Sequence, residues 1–427
     1  MISLLDGRRG IDVETWKRHL YILWIATLIL MAGMSLIIPF LPLYIEELGV
    51  TDVRQVELWA GLVFAANFLT AAIFSPIWGS LADKYGRKVM LLRSGFGMAL
   101  VVAFMGLATN VYQLLVLRLL MGTVAGFVAA ATALLAYNVP KEHSGYALGF
   151  LQTGVVAGTV IGPLVGGALA EVIGFRQIFF VTAAMNALAA LTVLIGVEEK
   201  FQRKEATAAA AREPLLSLLV REKILLAMFA VSFLIQFSLM INQPMITVFV
   251  SELGGAAGRV SLMAGMVFAV TGIANIVASP RLGRIGDQCG YHRVLLWAMA
   301  AAAFLFLPQA YVENVWQLLF FRFVLGFCLG GLIPAVNAII NQAVPREKQG
   351  GAFGLNSTAM FLGNLLGPIT GGLLASSIGL RGVFQVTSVL LGLNAVILYL
   401  TVYPMLKIKN AAGIPAPVGE RVCSTGH

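Results

Sequence analysis

The chain has 427 residues, of which 59% are hydrophobic and only 11% charged, and its mean hydropathy is +0.89. Soluble globular proteins carry roughly a quarter charged residues, so this composition excludes a water-soluble fold and points to helices that cross a membrane. The net charge of +9 requires no nucleic acid, because membrane proteins gather Lys and Arg on their cytoplasmic side.

In chain order, apolar runs broken by Gly, Pro or charge clusters predict twelve spans at about 20–45, 57–81, 89–109, 112–137, 145–170, 177–196, 224–250, 260–282, 293–311, 315–341, 351–376 and 382–404. The first run is too long for a signal-peptide core and lacks a small-residue cleavage site, so it is read as a span. Residues 1–19 and 405–427 read as cytoplasmic tails, 20–196 and 224–404 as two six-helix bundles, and the polar stretch 197–223 as a cytoplasmic linker. Within the linker, Pro214, Leu215, Leu216, Leu218 and Leu219 ahead of Arg221 predict a short helix lying on the membrane surface.

Placing the N-terminus inside puts all but six of the 29 Lys and Arg on the cytoplasmic side. The exceptions are Arg54, Arg176, Arg259 and Arg381 outside, and Arg118 and Arg322 within spans. Aligned with itself at an offset of 204 to 205 residues, the chain reveals a duplication. NVYQLLVLRLLMG from Asn110 faces NVWQLLFFRFVLG from Asn314 with seven identities in thirteen, and the 22 residues from Gly158 face those from Gly363 with eleven. SPIWGSLADKYGRKVMLL from Ser75 likewise faces SPRLGRIGDQCGYHRVLL from Ser279. Six spans per copy make the copies enter the membrane in the same direction, as in transporters whose two bundles rock about a midplane site.

GSLADKYGRKVM, from Gly79 to Met90, resembles the signature loop of the major facilitator superfamily, and the likeness extends over essentially the whole chain. It implies that Gly79, Asp83, Gly86, Arg87 and Lys88 form a conformational latch, with Asp83 bracing the bundles against a helix N-terminus across the interface. The second copy keeps Gly283, Asp287 and Gly290 but has Tyr291 and His292 in place of the basic pair. The acidic partner that the family places after span four is here replaced by Asn138. GVVAGTVIGPLVGG resembles the span-five motif of the twelve-span drug:proton antiporters. There Gly154, Gly158, Gly162, Gly166 and Gly167 would permit close helix contact and Pro163 would bend the helix. Tight packing alone explains the same residues, since GNLLGPITGG repeats them in span eleven.

Arg118 matches the basic position that this superfamily links to proton coupling. Snorkelling to water is the equal alternative, because the residue lies about two turns from the outer end of its span. None of the twenty Asp and Glu falls in mid-span, so the proton-coupling candidates are Asp83 or a boundary Glu, with Arg118 adjusting the local field; indirect or absent coupling to protons is the alternative. Amides gather in the second half, and Gln152, Gln236, Asn242, Asn337, Asn356 and Phe361 are the candidate substrate contacts in an otherwise apolar cavity. Each amide equally suits a tie between helices.

Three scattered Cys and four His offer neither a disulfide framework nor a metal site, and no phosphate-cradling Gly pattern is present. No cofactor, metal or nucleic acid is expected, and the chain is read as no enzyme. The expectation is an all-α transporter in two pseudo-symmetric six-helix bundles in the inner membrane, a monomer, exporting amphiphilic small molecules, with protons as the partner ion. A carrier for one metabolite or siderophore is the alternative, and a membrane sensor or enzyme a remote one.

Overall fold

The computed structural model describes residues 13–140, 143–199, 223–254, 259–344 and 349–411. The expected surface helix at 214–219, most of both tails and the side chain of Asp83 lie outside the described residues. Span one consists of Val13–Leu36, a 3₁₀ turn Ile38–Phe40 and a short helix Leu41–Glu47. Spans two and three are Val53–Tyr85 and Arg87–Gly106, and span four is split into Val111–Val124 and Phe127–Asn138. Ser144–Ile173 and Phe175–Gly196 form spans five and six. In the second bundle, Lys223–Asn242 with Met245–Glu252 forms span seven, followed by Val260–Cys289, Tyr291–Gln309 and Val315–Ala343 as spans eight to ten.

The last helix, Gln349–Ala411, contains an apolar stretch of 53 residues, Gly351–Tyr403. A straight helix of that length would reach about 80 Å, against about 30 Å of hydrocarbon. Gly379, with φ 80° and ψ 165°, turns the chain within it and separates spans eleven and twelve. Its repeat mate Gly174 does the same between spans five and six, with φ 82° and ψ 163°. A side chain would be strained at either position.

The NVYQ and NVWQ repeats become reciprocal caps. Asn110 and Asn314 accept the Gln113 and Gln317 amides at 2.9 and 3.0 Å, and each Gln side chain reaches back to the preceding turn. The duplication extends into the core. Tyr44 meets Phe179 in the first bundle and Phe249 meets Phe384 in the second, both with ring centroids 4.8 Å apart. Trp297, Phe304, Phe320 and Leu100 are exposed on the outside, as lipid-facing side chains should be. Span one packs on spans five and six, and span seven on eleven and twelve. The bundles join chiefly through span two against eleven and span five against eight.

Candidate functional site

The two joins are built alike. A Cβ on Gly265 of span eight would strike the Pro163 carbonyl of span five, and one on Gly61 of span two would strike the Pro368 carbonyl of span eleven. A step further out, Gly167 abuts the Ser261 backbone and Gly372 the Glu57 backbone. At the opposite ends of the same four helices, a Cβ on Gly79, Gly149, Gly283 or Gly354 would meet nothing within 4 Å. The bundles therefore touch at one face, here called distal, and stand apart at the face where span one begins.

The glycines of span five divide between two tasks. Gly154, Gly158, Gly162 and Gly166, four residues apart, lie against Trp24, Leu28 to Ala32, Ser35 and Leu36 of span one, while Gly167 and Pro163 face span eight. Ser35 adds a polar tie by donating to the Gly158 carbonyl at 3.0 Å. The helix is continuous through Pro163. Span eleven repeats the division: Gly363, Gly367 and Gly371 abut span seven, and Pro368 and Gly372 abut span two.

At the signature loop, Gly86 reverses the chain with φ 98°. The first amides of span three, Arg87 N–H and Lys88 N–H, donate to the two carboxylate oxygens of Glu199 at 2.9 and 2.8 Å. A negative charge at a helix N-terminus satisfies unpaired donors and complements the helix dipole. The Arg87 guanidinium donates to the Ala133 carbonyl and sits 5.1 Å from the Tyr137 ring. Lys88 Nζ donates to the Leu194 carbonyl at 3.0 Å. Arg87 thus binds span four through a carbonyl and a ring, and the loop's carboxylate comes from the chain after span six, a stretch assigned to the linker. In the second copy Tyr291 donates to Asp287, and His292 meets Tyr403 edge-on at 5.4 Å.

Arg118 and Arg322 are 8% and 6% exposed, so neither reaches freely to water. Neither has an ion pair among the described residues, and the Nε of each lacks a partner there. Arg322 lies between the Phe306 and Phe384 rings, 5.6 Å from each centroid, a setting that stabilises a desolvated guanidinium.

The candidate substrate residues are not gathered into one cluster. Asn242 is buried and donates to Thr387, tying span seven to span twelve. Asn356 is buried and donates to Asn337 at 3.5 Å, between spans eleven and ten. Gln236 donates to Asn364 at 2.8 Å, between spans seven and eleven. Gln152 on span five and Phe361 on span eleven are exposed, one on each bundle.

Three features escaped the sequence reading. Span four breaks at Gly126, with φ 125°, and its free carbonyls are capped from neighbouring helices. Trp78 Nε1 donates to the Thr123 carbonyl at 2.6 Å, and Arg93 donates to the Ala125 carbonyl at 3.1 Å while stacking 3.6 Å over the Trp78 ring. Glu199 is the second. The third is Glu57, only 4% exposed within the contact between spans two and eleven.

Paired bundles, touching at one face and parted at the other around buried polar groups, define a membrane transporter fold. The model of the Major Facilitator Superfamily matches residues 23–258 and again 228–421. The Multidrug resistance protein MdtG of Enterobacter lignolyticus is 41% identical over 95% of this chain and 96% of its own, and that of Proteus mirabilis 39% over 90% and 95%. Among solved structures, a bacterial homolog of the human lysosomal transporter Spinster, inward-facing and unoccupied, aligns with TM-score 0.75 at 15% identity, covering 93% of this chain and 98% of that one. The nucleoside transporter NupG aligns with TM-score 0.74 at 15% identity, covering 91% and 99%. The chain belongs to the major facilitator superfamily and is a multi-pass membrane protein.

Proposed function

We propose that the chain is a multidrug efflux transporter, moving hydrophobic or amphiphilic small molecules out of the cell by alternating access in exchange for inward-flowing protons. The observation that carries this reading is the pair of matched crossings closing one face while the opposite ends of the same helices stand apart. It is supported by identity of about 40%, along nearly the whole chain, to proteins named for multidrug resistance. The distribution of Lys and Arg supports a cytoplasmic open face, with both termini on the cytoplasmic side of the inner membrane, and the distal face as the outer gate. The moving units are residues 20–196 and 224–404, joined by 197–223, and a monomer suffices because one chain encloses the path.

Within this reading Gly79, Asp83, Gly86, Arg87 and Lys88 latch the inner side when it closes. Gly154, Gly158, Gly162, Gly166 and Gly167 with Pro163 hold span five rigid against span one while it pivots on span eight. Gln152 and Phe361, exposed one on each bundle, offer contacts to the substrate, whereas Gln236, Asn242, Asn337 and Asn356 tie helices through their amides. Arg118, desolvated and without a carboxylate partner among the described residues, sets the field felt by a proton-binding group. Inward proton flow releases about 2.3 kcal/mol per charge for every 100 mV of membrane potential.

Accumulation of several unrelated fluorescent dyes in cells with and without the protein tests the proposal. Expression should lower accumulation, and a protonophore should restore it. Equal accumulation of all the dyes would overturn multidrug export, and export unaffected by the protonophore would overturn proton coupling alone.

A further inference from the structure

Span two enters the outer gate carrying a carboxylate. Glu57 is almost wholly buried, and the backbones of spans two and eleven touch at this residue: a Cβ on Gly372 would come within 2.6 Å of the Glu57 carbonyl oxygen. Among the described residues the Glu57 carboxylate has no hydrogen bond and no ion pair. The charges acting on it are Glu252 at the end of span seven and Asp52 and Arg54 at the start of its own helix. Glu252 is itself 3.8 Å from Arg381. The short helix Leu41–Glu47 on span two brings Glu46 and Glu47, the latter bound to Arg176 at 3.3 Å. Residues 361–378 of span eleven bring no charge. Arg118 of span four lies between the Tyr112–Trp59 and Gly122–Thr70 contacts, nearer the membrane centre.

The repeat mate of Glu57 is Ser261, and the crossing there carries its carboxylate on the other helix. Glu171 of span five accepts the Leu262 N–H of span eight at 3.1 Å, an exposed cap on a helix N-terminus. One gate carboxylate is thus solvated and capped, the other uncapped and left only a narrow margin of solvent contact. An ionised carboxylate with so little solvent contact and no ion-pair partner, facing Glu252 and Asp52 against Arg54 alone, is disfavoured, whereas the neutral acid is tolerated.

We propose that Glu57 is a proton-binding site of the outer gate, which closes on the neutral acid and opens to the carboxylate. The inference rests on the alternating-access reading but not on proton antiport. When spans two and eleven part, water reaches Glu57 and the proton passes to the outer medium; on closure a proton is taken up from the same medium. Glu57 alone therefore carries no net proton across the membrane. It makes closure of the outer gate depend on outside acidity.

The test places spin labels at the exposed distal positions Val172 and Ser377, one on each bundle, after Cys289, Cys328 and Cys423 are replaced by Ser. Distances are measured in lipid nanodiscs across pH 5 to 8. One proton linked to closure changes the ratio of short to long distances by up to about tenfold per pH unit. The parent should show that response, Glu57→Gln should hold the short population at every pH, and Glu57→Asp should restore the response. A Glu57→Gln protein that follows the parent's pH profile overturns the proposal, as does a parent that ignores pH yet changes distance when an exported dye is added. A parent that never changes distance while exporting dye overturns the alternating-access reading instead. Monodisperse elution and an unchanged melting temperature of Glu57→Gln exclude misfolding as the cause.

Discussion

The two outer crossings share a backbone and differ in charge. Both press a glycine of one bundle onto a proline carbonyl of the other, Gly265 onto Pro163 and Gly61 onto Pro368. Yet the span five and eight crossing ends in the Glu171 cap on Leu262 N–H, and the span two and eleven crossing encloses Glu57. The turns at the cytoplasmic ends diverge in the same way. Glu199 binds the Arg87 and Lys88 amides in the first copy, while His292 meets the Tyr403 ring in the second. Duplication preserved what the helices need in order to approach each other, and the side chains that set charge were free to differ.

The largest expected effect comes from the shared part. Leu at Gly61 or Gly265 puts side-chain atoms where the facing carbonyl already lies, and overpacking of this kind costs typically 1–3 kcal/mol. Each substitution should hold the outer gate apart and reduce dye efflux about five- to 150-fold at a cost of that size, with the protein still inserted. If one substitution abolishes efflux and the other leaves it intact, the crossings are not mechanically equivalent.

A somewhat smaller effect is expected where the bundles differ in span four. Its break at Gly126 has no counterpart in the described second bundle, where Val315–Ala343 runs unbroken. Trp78→Ala leaves the Thr123 carbonyl only Arg93 Nη1 at 3.5 Å and Arg93→Ala leaves the Ala125 carbonyl without its donor, a loss of about 0.5–1.5 kcal/mol for each part-buried bond. Melting temperature in detergent should fall for each, and the double variant should lose less than the sum, because the two side chains stack on each other. Full additivity would mean that they act separately.

These contrasts show what could be read from the sequence. The spans, the duplication and the glycine faces of spans five and eleven were legible because hydropathy and four-residue spacing are local properties of the chain. Glu57 was not: it stands at the first position of a predicted span and reads as a boundary residue, and it lies where the backbone of span two meets Gly372 of the other bundle. Glu199 lies in a polar stretch that composition assigns to a linker, and only the fold brings it to the start of span three. The Gly126 break carries no proline to announce it, and the Trp78 and Arg93 that complete it come from two other spans. Asn242 and Asn356 suited a cavity contact and a tie between helices equally, because residue type alone does not reveal whether another helix already uses the amide.

Glu199→Gln sharpens the comparison of the cytoplasmic turns. Removing the charge while keeping one acceptor oxygen should cost about 0.3–1 kcal/mol, the usual value of an anion at a helix N-terminus. The melting temperature should fall by about a degree or less, reproduced in part by raising the salt concentration of the parent. No fall would mean that Arg87 and Lys88 hold the turn without it.

The smallest effect belongs to Glu171→Gln. The carboxylate is exposed, so solvent replaces much of what the Leu262 amide loses, and a shift of about 0.3–1 kcal/mol toward the open outer gate is the most it should produce. Expressed as a population, that is about a two- to fivefold change in the ratio of closed to open molecules. The same label pair that reads Glu57 can read it, with the opposite signature: Glu171→Gln lowers the closed fraction at every pH and leaves its pH dependence in place, whereas Glu57→Gln raises the closed fraction and removes that dependence. Matching shifts in the same direction would mean that the two carboxylates act as one acidic surface and that the charge difference between the crossings has no separate consequence.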